Sequence, residues 1–79
     1  MLFKRGAYYM NAKEFAAKLK SVRVEKKIKR KEVAEKLGVT LQTYTNYENA
    51  YRMPQIMKLP IISAVLGVSI DYLLGISNE

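Results

Sequence analysis

The side chains of this chain that could do specific chemistry are amides, hydroxyls and cations rather than the usual catalytic groups. Its 79 residues include no cysteine and no histidine, which removes thiolates, the commonest general base and the commonest metal ligand. The seven acidic residues are scattered among fourteen basic ones, and none forms an obvious catalytic pair with a nucleophile. We therefore expect no enzymatic activity, no bound metal and no cofactor.

Uncharged polar side chains cluster in residues 41–46, and their chemistry suits the edges of nucleic-acid bases. Gln42 carries an amide that can pair bidentately with N6 and N7 of adenine, a contact worth roughly 1–3 kcal/mol of discrimination. Thr43 can bond a base edge or a phosphate, and its methyl group can touch thymine, as Leu41 could. Asn46 has the chemistry of Gln42 but lies one turn further on, so a phosphate contact is equally open. An ordinary solvated helix face has a similar composition, so these residues alone do not establish a function.

Positive charge is concentrated in the first half of the chain. The net charge is +7, and twelve of the fourteen Lys and Arg residues lie within residues 1–37. The densest run, residues 26–31, lies between the end of one predicted helix and the start of the next, where phosphates are commonly bound. A solvated loop is the alternative for such a run, but its position favours phosphate binding by Lys29, Arg30 and Lys31.

Two short helices joined by a tight turn, within residues 30–47, would position the polar cluster. Val33 and Leu37 lie four apart and share one face of the first of these helices. Gly38 can end that helix in the left-handed conformation, and the Thr40 hydroxyl can cap the next one. The residues that set this geometry by size, capping or conformational freedom are Val33, Ala34, Leu37, Gly38, Val39, Thr40, Tyr44 and Tyr47. Their spacing predicts a helix-turn-helix.

A longer helix is predicted before this motif. Asn11 can cap it, and Glu14 three residues later completes a capping box. The helix should run to about Lys27, where lysines lie favourably at its negative C-terminal end. Its apolar stripe at helical spacing consists of Ala12, Phe15, Ala16, Leu19 and Val22.

Three further helices complete the prediction, which is an all-α domain of five helices. The third should span residues 41–49, and a loop should follow because Pro54 disfavours helix at the preceding residue. Pro60 inside the fourth helix predicts either a late start near Met57 or an irregular first turn. Ser69 should cap a short fifth helix over residues 70–74, closed by Gly75. The apolar positions of the fourth helix, which ends at Gly67, are Ile56, Leu59, Ile62, Val65 and Leu66.

This pattern divides the chain into an N-terminal extension, residues 1–10, a helix-turn-helix domain, residues 11–75, and a tail, residues 76–79. The longest uncharged run, residues 59–70, is far shorter than the roughly 20 apolar residues that a membrane span needs. Residues 1–9 have no apolar core of the kind found in signal peptides. These observations favour a cytoplasmic protein with no membrane partner.

The chain resembles the Cro and phage-repressor class of helix-turn-helix regulators, the XRE family, over residues 15–74. The separate pieces are weak, but together they occur in the order and at the spacing of the family. The residues that carry the resemblance are Leu19 and Arg23, residues 33–39, Tyr44, Tyr47 and Glu48, Pro54, and residues 66–74.

The resemblance implies a lambda-repressor-like fold whose third helix enters the DNA major groove. It assigns base reading to the exposed positions of that helix, namely Leu41, Gln42, Thr43, Thr45 and Asn46. It also implies that Glu48 pairs with Arg23 of the first helix, and that Tyr44 and Tyr47 are core residues whose hydroxyls reach the rim.

Phosphate contacts should come from the start of the second helix and from the loop after the third. The residues concerned are Lys29, Arg30, Lys31, Asn49, Tyr51 and Arg52. Lys29 stands where the family often has a capping Ser or Thr, so that cap should be weak. Ala50 replaces a frequent glycine, which puts the geometry of the loop in question.

A homodimer on an operator of two half-sites about one helical turn apart is expected for this class. The candidate surfaces are Ile70, Leu73 and Ile76 of the last helix, and Leu2, Phe3, Tyr8 and Tyr9 of the extension. Packing into the core is an equal alternative for both sets.

Two other interpretations remain open. The chain could be an antitoxin or adaptor with this fold, whose main partner is a toxin or another antagonist protein, because residues 37–51 contain no Lys or Arg. It could also be a nonspecific electrostatic binder of nucleic acid or of an anionic membrane. Among regulators, a mobile-element repressor and a restriction–modification controller are not distinguished by the sequence.

Overall fold

The computed structural model describes residues 10–76, and these residues form five α-helices and one short 3₁₀ helix. This confirms the predicted all-α, five-helix architecture. Residues 1–9 of the predicted extension and residues 77–79 of the tail lie outside the described part, and so do Leu2, Phe3, Tyr8 and Tyr9. The elements are α1 (Ala12–Glu25), α2 (Arg30–Leu37), α3 (Leu41–Glu48), the 3₁₀ helix (Ile56–Lys58), α4 (Leu59–Leu66) and α5 (Ile70–Leu73).

The first helix begins as predicted and ends slightly early. The Glu14 backbone N–H donates to Asn11 Oδ1 at 2.8 Å, and the Asn11 backbone N–H donates to Glu14 Oε1 at 3.0 Å, which completes the capping box. The helix ends at Glu25 rather than at Lys27, because Lys27 has φ +60° and turns the chain out of the helix. Ala12 is exposed, so its predicted place in the apolar stripe is wrong.

Within the helix-turn-helix, α2 ends and α3 begins at the predicted residues. Gly38 has φ +72°, the left-handed conformation that favours glycine, and it ends α2 directly after Leu37. Thr40 Oγ1 accepts the Thr43 backbone N–H at 3.0 Å and caps α3. Lys29 makes no side-chain cap for α2, as its residue type predicts. α3 ends at Glu48, one residue before the predicted end, with Asn49 as its C-cap.

Pro60 has the predicted effect on the fourth helix. The chain enters it through the 3₁₀ helix, and Pro60 lies in the first turn of α4, where it does not interrupt the helical hydrogen bonds. Ile56 is 76% exposed, so its predicted role as an inward-facing residue of this helix is wrong. α5 is capped by Ser69, whose side chain accepts the Tyr72 backbone N–H, and it ends at Leu73, one residue early.

The core lies where α1, α2 and α3 meet α4 and α5. Its buried apolar residues are Phe15, Ala16, Leu19, Val22, Val33, Ala34, Leu37, Tyr44, Tyr47, Ile62, Leu66 and Leu73. Leu73 is fully buried, so of the two alternatives given for it the structure selects packing into the core over a dimer surface. Tyr44 is also fully buried, and its hydroxyl bonds inside the protein instead of reaching the rim. No helix within residues 10–76 is long and apolar enough to cross a bilayer.

Candidate nucleic-acid interface

A buried polar network fixes α3 against α1, and we call Arg23, Tyr44 and Glu48 the α3 anchor. Arg23 donates to both Glu48 oxygens, from Nε to Oε2 at 2.5 Å and from Nη2 to Oε1 at 3.1 Å. The Tyr44 hydroxyl donates to Glu48 Oε2 at 2.6 Å, and Arg23 Nη1 donates to the Ile28 carbonyl at 2.8 Å. This arrangement confirms the Arg23–Glu48 pair and orients the whole third helix.

The surroundings of the anchor raise the pKa values of two of its groups, Arg23 and Tyr44. The hydrogen bond from Arg23 to Glu48 raises the pKa of the Arg23 guanidinium above its ordinary value, so this side chain stays charged. Burial, followed by the hydrogen bond to Glu48, raises the pKa of the Tyr44 hydroxyl far above its ordinary value of 10.0. The phenol therefore remains a hydrogen-bond donor throughout the physiological range.

Arg30 connects the anchor to the surface. Its Nε lies 3.3 Å from Glu48 Oε1, while its side chain remains 44% exposed. One carboxylate thus accepts hydrogen bonds from α1 and α3 and forms an ion pair with α2. The sequence analysis placed Arg30 only among the phosphate-binding candidates. The structure also pairs it with the buried Glu48.

The outward face of α3 is polar and uncharged. At 100° per residue, Tyr44, Tyr47 and Glu48 face the core, and Gln42 and Asn46 lie at the centre of the opposite face. Gln42 Nε2 donates to Asn46 Oδ1 at 3.0 Å, which holds the two amides side by side. This bond uses one Nε2 hydrogen of Gln42 and leaves its Oε1 and second Nε2 hydrogen as the acceptor and donor that adenine requires.

The other three base-reading candidates flank this amide pair. Leu41 is 49% exposed on one side, next to the partly exposed Thr45. Thr43 lies on the other side, where its Oγ1 accepts the Thr40 hydroxyl at 3.0 Å and keeps its own proton to donate. The structure thus brings all five candidates onto the solvent side of one helix.

The loop after α3 is tied to the end of that helix. The backbone N–H groups of Tyr51 and Arg52 both donate to the Asn46 carbonyl, at 2.9 and 3.3 Å. Ala50 has φ +64°, a conformation that is strained for alanine, so the residue that replaces the family's glycine still adopts the glycine-like turn. Asn49, Tyr51 and Arg52 are exposed beyond the C-terminal end of α3.

Two groups of cations belong to the residues around α3. Lys29 and Lys31 are exposed at the start of α2, beside Arg30. Arg52 and Lys58 form the second group, and they line a shallow pocket of about 330 Å³ together with Thr40 and Thr43. The pocket is completed by Gly38, Val39, Tyr47, Met53 and Gln55.

Lys58 is a residue of this region that the sequence analysis did not assign. Its Nζ donates to the Leu37 carbonyl at 2.7 Å and satisfies the C-terminal end of α2. No local pattern links residues 37 and 58, so only the tertiary structure reveals this contact. The Tyr44–Glu48 bond could have been anticipated, because these residues lie four apart on one helix.

Comparison with known proteins assigns this geometry to a family. Residues 19–73 match the family model described as Helix-turn-helix. The chain therefore belongs to the XRE-type helix-turn-helix family of transcriptional regulators.

Three relatives from Bacillus subtilis illustrate the match. The uncharacterised HTH-type transcriptional regulator YqaE is 47% identical over 66 residues, which cover 82% of this chain and 57% of YqaE. The SPbeta prophage-derived uncharacterised regulator YonR is 38% identical over 60 residues, 76% of this chain and 56% of YonR. The HTH-type transcriptional regulator ImmR is 41% identical over 58 residues, 73% of this chain and 46% of ImmR. The chain thus spans about half the length of these relatives.

Proposed function

We propose that this chain binds double-stranded DNA sequence-specifically and regulates transcription as a repressor, with α3 in the major groove. The observation that carries the proposal is the Gln42–Asn46 amide pair, which is exposed at the centre of a helix whose opposite face is fixed by the α3 anchor. Bases are read by Leu41, Gln42, Thr43, Thr45 and Asn46. In this proposal the bound protein represses transcription by occupying the operator, so no further activity of the chain is needed.

Phosphate binding supplies affinity without sequence preference in this proposal. Lys29, Arg30 and Lys31 contact the backbone on one side of the groove, and Asn49, Tyr51 and Arg52 contact it on the other. Because the reading face has no charge, the salt dependence of binding comes from these flanking residues. Membership of a DNA-binding regulator family supports this proposal over the adaptor alternative.

Fluorescence anisotropy can test whether base reading and phosphate binding are carried by different residues. The affinity is measured for DNA from upstream of the chain's own gene, as operator, and for unrelated DNA. Gln42→Ala should weaken binding to the operator by roughly 1–3 kcal/mol and leave binding to unrelated DNA unchanged. Lys31→Gln should weaken both complexes and lower the salt slope by about 0.9.

Ser21→Ala is the control, because it removes an exposed polar side chain of α1 outside the candidate interface. It should bind operator like the parent chain. Equal losses on both DNAs for Gln42→Ala would show that α3 does not read sequence. No binding of any DNA at low salt would refute the proposed function altogether.

A further inference from the structure

The pocket beside α3 carries positive charge and no acidic side chain. We call this cavity of about 330 Å³ the α3 pocket, and its two cations are Arg52 and Lys58. None of the residues that line it is acidic. Within residues 36–60 the only acidic residue is Glu48, and its carboxylate is bound inside the α3 anchor. The α3 pocket therefore favours an anion.

Lys58 is held in place at the pocket with most of its donor capacity left. Its Nζ donates to the Leu37 carbonyl at 2.7 Å, and its side chain is only partly exposed. An ammonium group has three hydrogens, so this bond leaves two for a ligand. Because the flexible side chain is already fixed, a ligand would not have to bear the entropic cost of ordering it.

The hydroxyls of Thr40 and Thr43 form a short chain that ends in a donor. Thr40 Oγ1 accepts the Thr43 backbone N–H and donates its own proton to Thr43 Oγ1, both at 3.0 Å. The Thr43 hydroxyl therefore keeps its proton for a group in the pocket, which this residue lines.

The position of Arg52 is also set within the protein. The backbone N–H groups of Tyr51 and Arg52 both donate to the Asn46 carbonyl, which ties the loop to α3. The bonds that shape the pocket thus all form between groups of this chain. The pocket needs no DNA in order to exist, so it can receive a ligand in the free protein.

The donors of the pocket suit a phosphate group. Thr43 lies on α3, Arg52 in the loop after it and Lys58 in the 3₁₀ helix, so they belong to three separate elements. Phosphate oxygens are arranged tetrahedrally and can accept from several directions, whereas the two oxygens of a carboxylate lie in one plane. Lysine, arginine and threonine are all common phosphate donors. A volume of this size corresponds to about ten molecules of liquid water, which leaves room for the group that carries the phosphate.

We propose that the α3 pocket is a preformed site for one phosphate group, held by Lys58, Arg52 and Thr43. Two molecules can supply this group, namely the backbone of the operator and a free nucleotide. Since both would fill the same place, a free nucleotide and DNA compete for the chain by mass action. The competition rests on the proposed function, but binding of the free phosphate group does not.

Titration with inorganic phosphate tests the site in the whole chain without DNA. In ¹H–¹⁵N NMR spectra at constant ionic strength, the amide signals of Gly38, Thr40 and Thr43 should shift and saturate. Lys58→Gln should weaken this binding about tenfold or more, because a charge-assisted hydrogen bond is lost. Lys20→Gln, which removes an exposed lysine of α1, is the matched control and should bind phosphate like the parent chain.

Arg52→Gln provides a second variant in case the loss of the bond to Leu37 unfolds Lys58→Gln. It changes an exposed residue and should also weaken phosphate binding. Equal effects of Arg52→Gln and Lys20→Gln would overturn the proposal. Shifts that never saturate, or that spread over the lysines of α1, would do the same.

Binding of operator DNA distinguishes the two sources of the phosphate. If the DNA backbone fills the pocket, Lys58→Gln should lower the salt slope by about 0.9 on operator and on unrelated DNA. If a free nucleotide fills it, adenosine 5′-monophosphate should inhibit DNA binding by the parent chain but not by Lys58→Gln, whose salt slope stays unchanged. Adenosine, which lacks the phosphate, is the control and should not inhibit.

Failure of this proposal can be told apart from failure of the proposed function. A Lys58→Gln chain with parent-like phosphate binding and salt slope would refute the site and leave DNA reading by Gln42 intact. A parent chain that binds phosphate in the pocket but binds no DNA would support the site and refute the proposed function instead.

Discussion

α3 and α4 are both eight residues long, yet they are held in the fold by opposite means. α3 is fixed by a buried carboxylate with four hydrogen-bonding or ionic contacts, and its outer face is polar without charge. α4 is held by apolar packing, with Ile62 and Leu66 buried and Leu59 and Val65 partly buried against the core, and its exposed residues Pro60, Ile61 and Ala64 carry no polar group. Directional hydrogen bonds therefore set the orientation of α3, which carries the proposed base-reading amides. Nondirectional apolar packing is enough to hold α4.

Breaking the α3 anchor should have the largest effect. Glu48→Ala leaves the Arg23 guanidinium buried without its partner, which should cost about 3–5 kcal/mol of unfolding free energy. Small domains have little more stability than that, so the variant should be largely unfolded at 25 °C by circular dichroism. Glu32→Ala, at an exposed position of α2, should stay within about 0.5 kcal/mol of the parent chain. A folded Glu48→Ala with a parent-like melting temperature would contradict the role given to the anchor.

Two neighbouring isoleucines test the faces of α4. Ile62 is fully buried, and its replacement by alanine should cost about 2–5 kcal/mol in urea unfolding. Ile61→Ala removes the same atoms from an exposed position of the same helix and should change monomer stability by about 0.5 kcal/mol or less. Similar losses for the two variants would mean that the outer face is also packed.

The contribution of the α3 anchor to the free energy of unfolding should depend on pH, whereas that of the apolar packing of α4 should not. Because the pKa of Tyr44 is raised in the folded chain, the unfolded chain loses this proton first as the pH rises above about 10. The stabilisation is therefore complete below pH 10 and should fall above it by about 1.4 kcal/mol per pH unit. Tyr44→Phe should remove this slope, and the exposed Tyr51→Phe should retain it. Ile62→Ala should lower stability equally at every pH, and an unchanged slope in Tyr44→Phe would contradict the assignment.

Substitutions that test the turns after α3 and α4 should give the smallest changes in stability. α4 ends at Gly67 with φ +69°, whereas Ala50 after α3 has φ +64° without being glycine. Ala50→Gly should relieve the strain and raise stability by about 0.5–1 kcal/mol in thermal unfolding. Ala64→Gly, the same substitution inside α4, should lower stability by a similar amount. Destabilisation by both variants would show that the turn at Ala50 is not strained.

Local patterns predicted most of the fold because each signal acts within a few residues. The capping box at Asn11, the turn at Gly38 and the irregular entry at Pro60 depend on neighbours that the sequence shows directly. The prediction for Ile56 was wrong, and Leu73 stayed open between core and surface, because periodicity identifies an apolar face without showing whether another element covers it.

The candidate interface was only partly accessible from sequence. The outward position of Gln42 and Asn46 follows from helical spacing and the family resemblance. The link from Arg30 to Glu48 and that from Lys58 to the Leu37 carbonyl join distant parts of the chain, so spacing could not reveal them. Whether these residues contact DNA stays a prediction.

The anchor has a consequence for how this domain could change its target. Arg23, Tyr44 and Glu48 hold α3 without any contribution from Gln42, Thr45 or Asn46. Substitutions at those outward positions should therefore accumulate without a loss of folding, and under the proposed function operator preference could diverge between closely related chains. The same independence makes this helix suitable for libraries in which several outward positions are randomised together and selected for new operators.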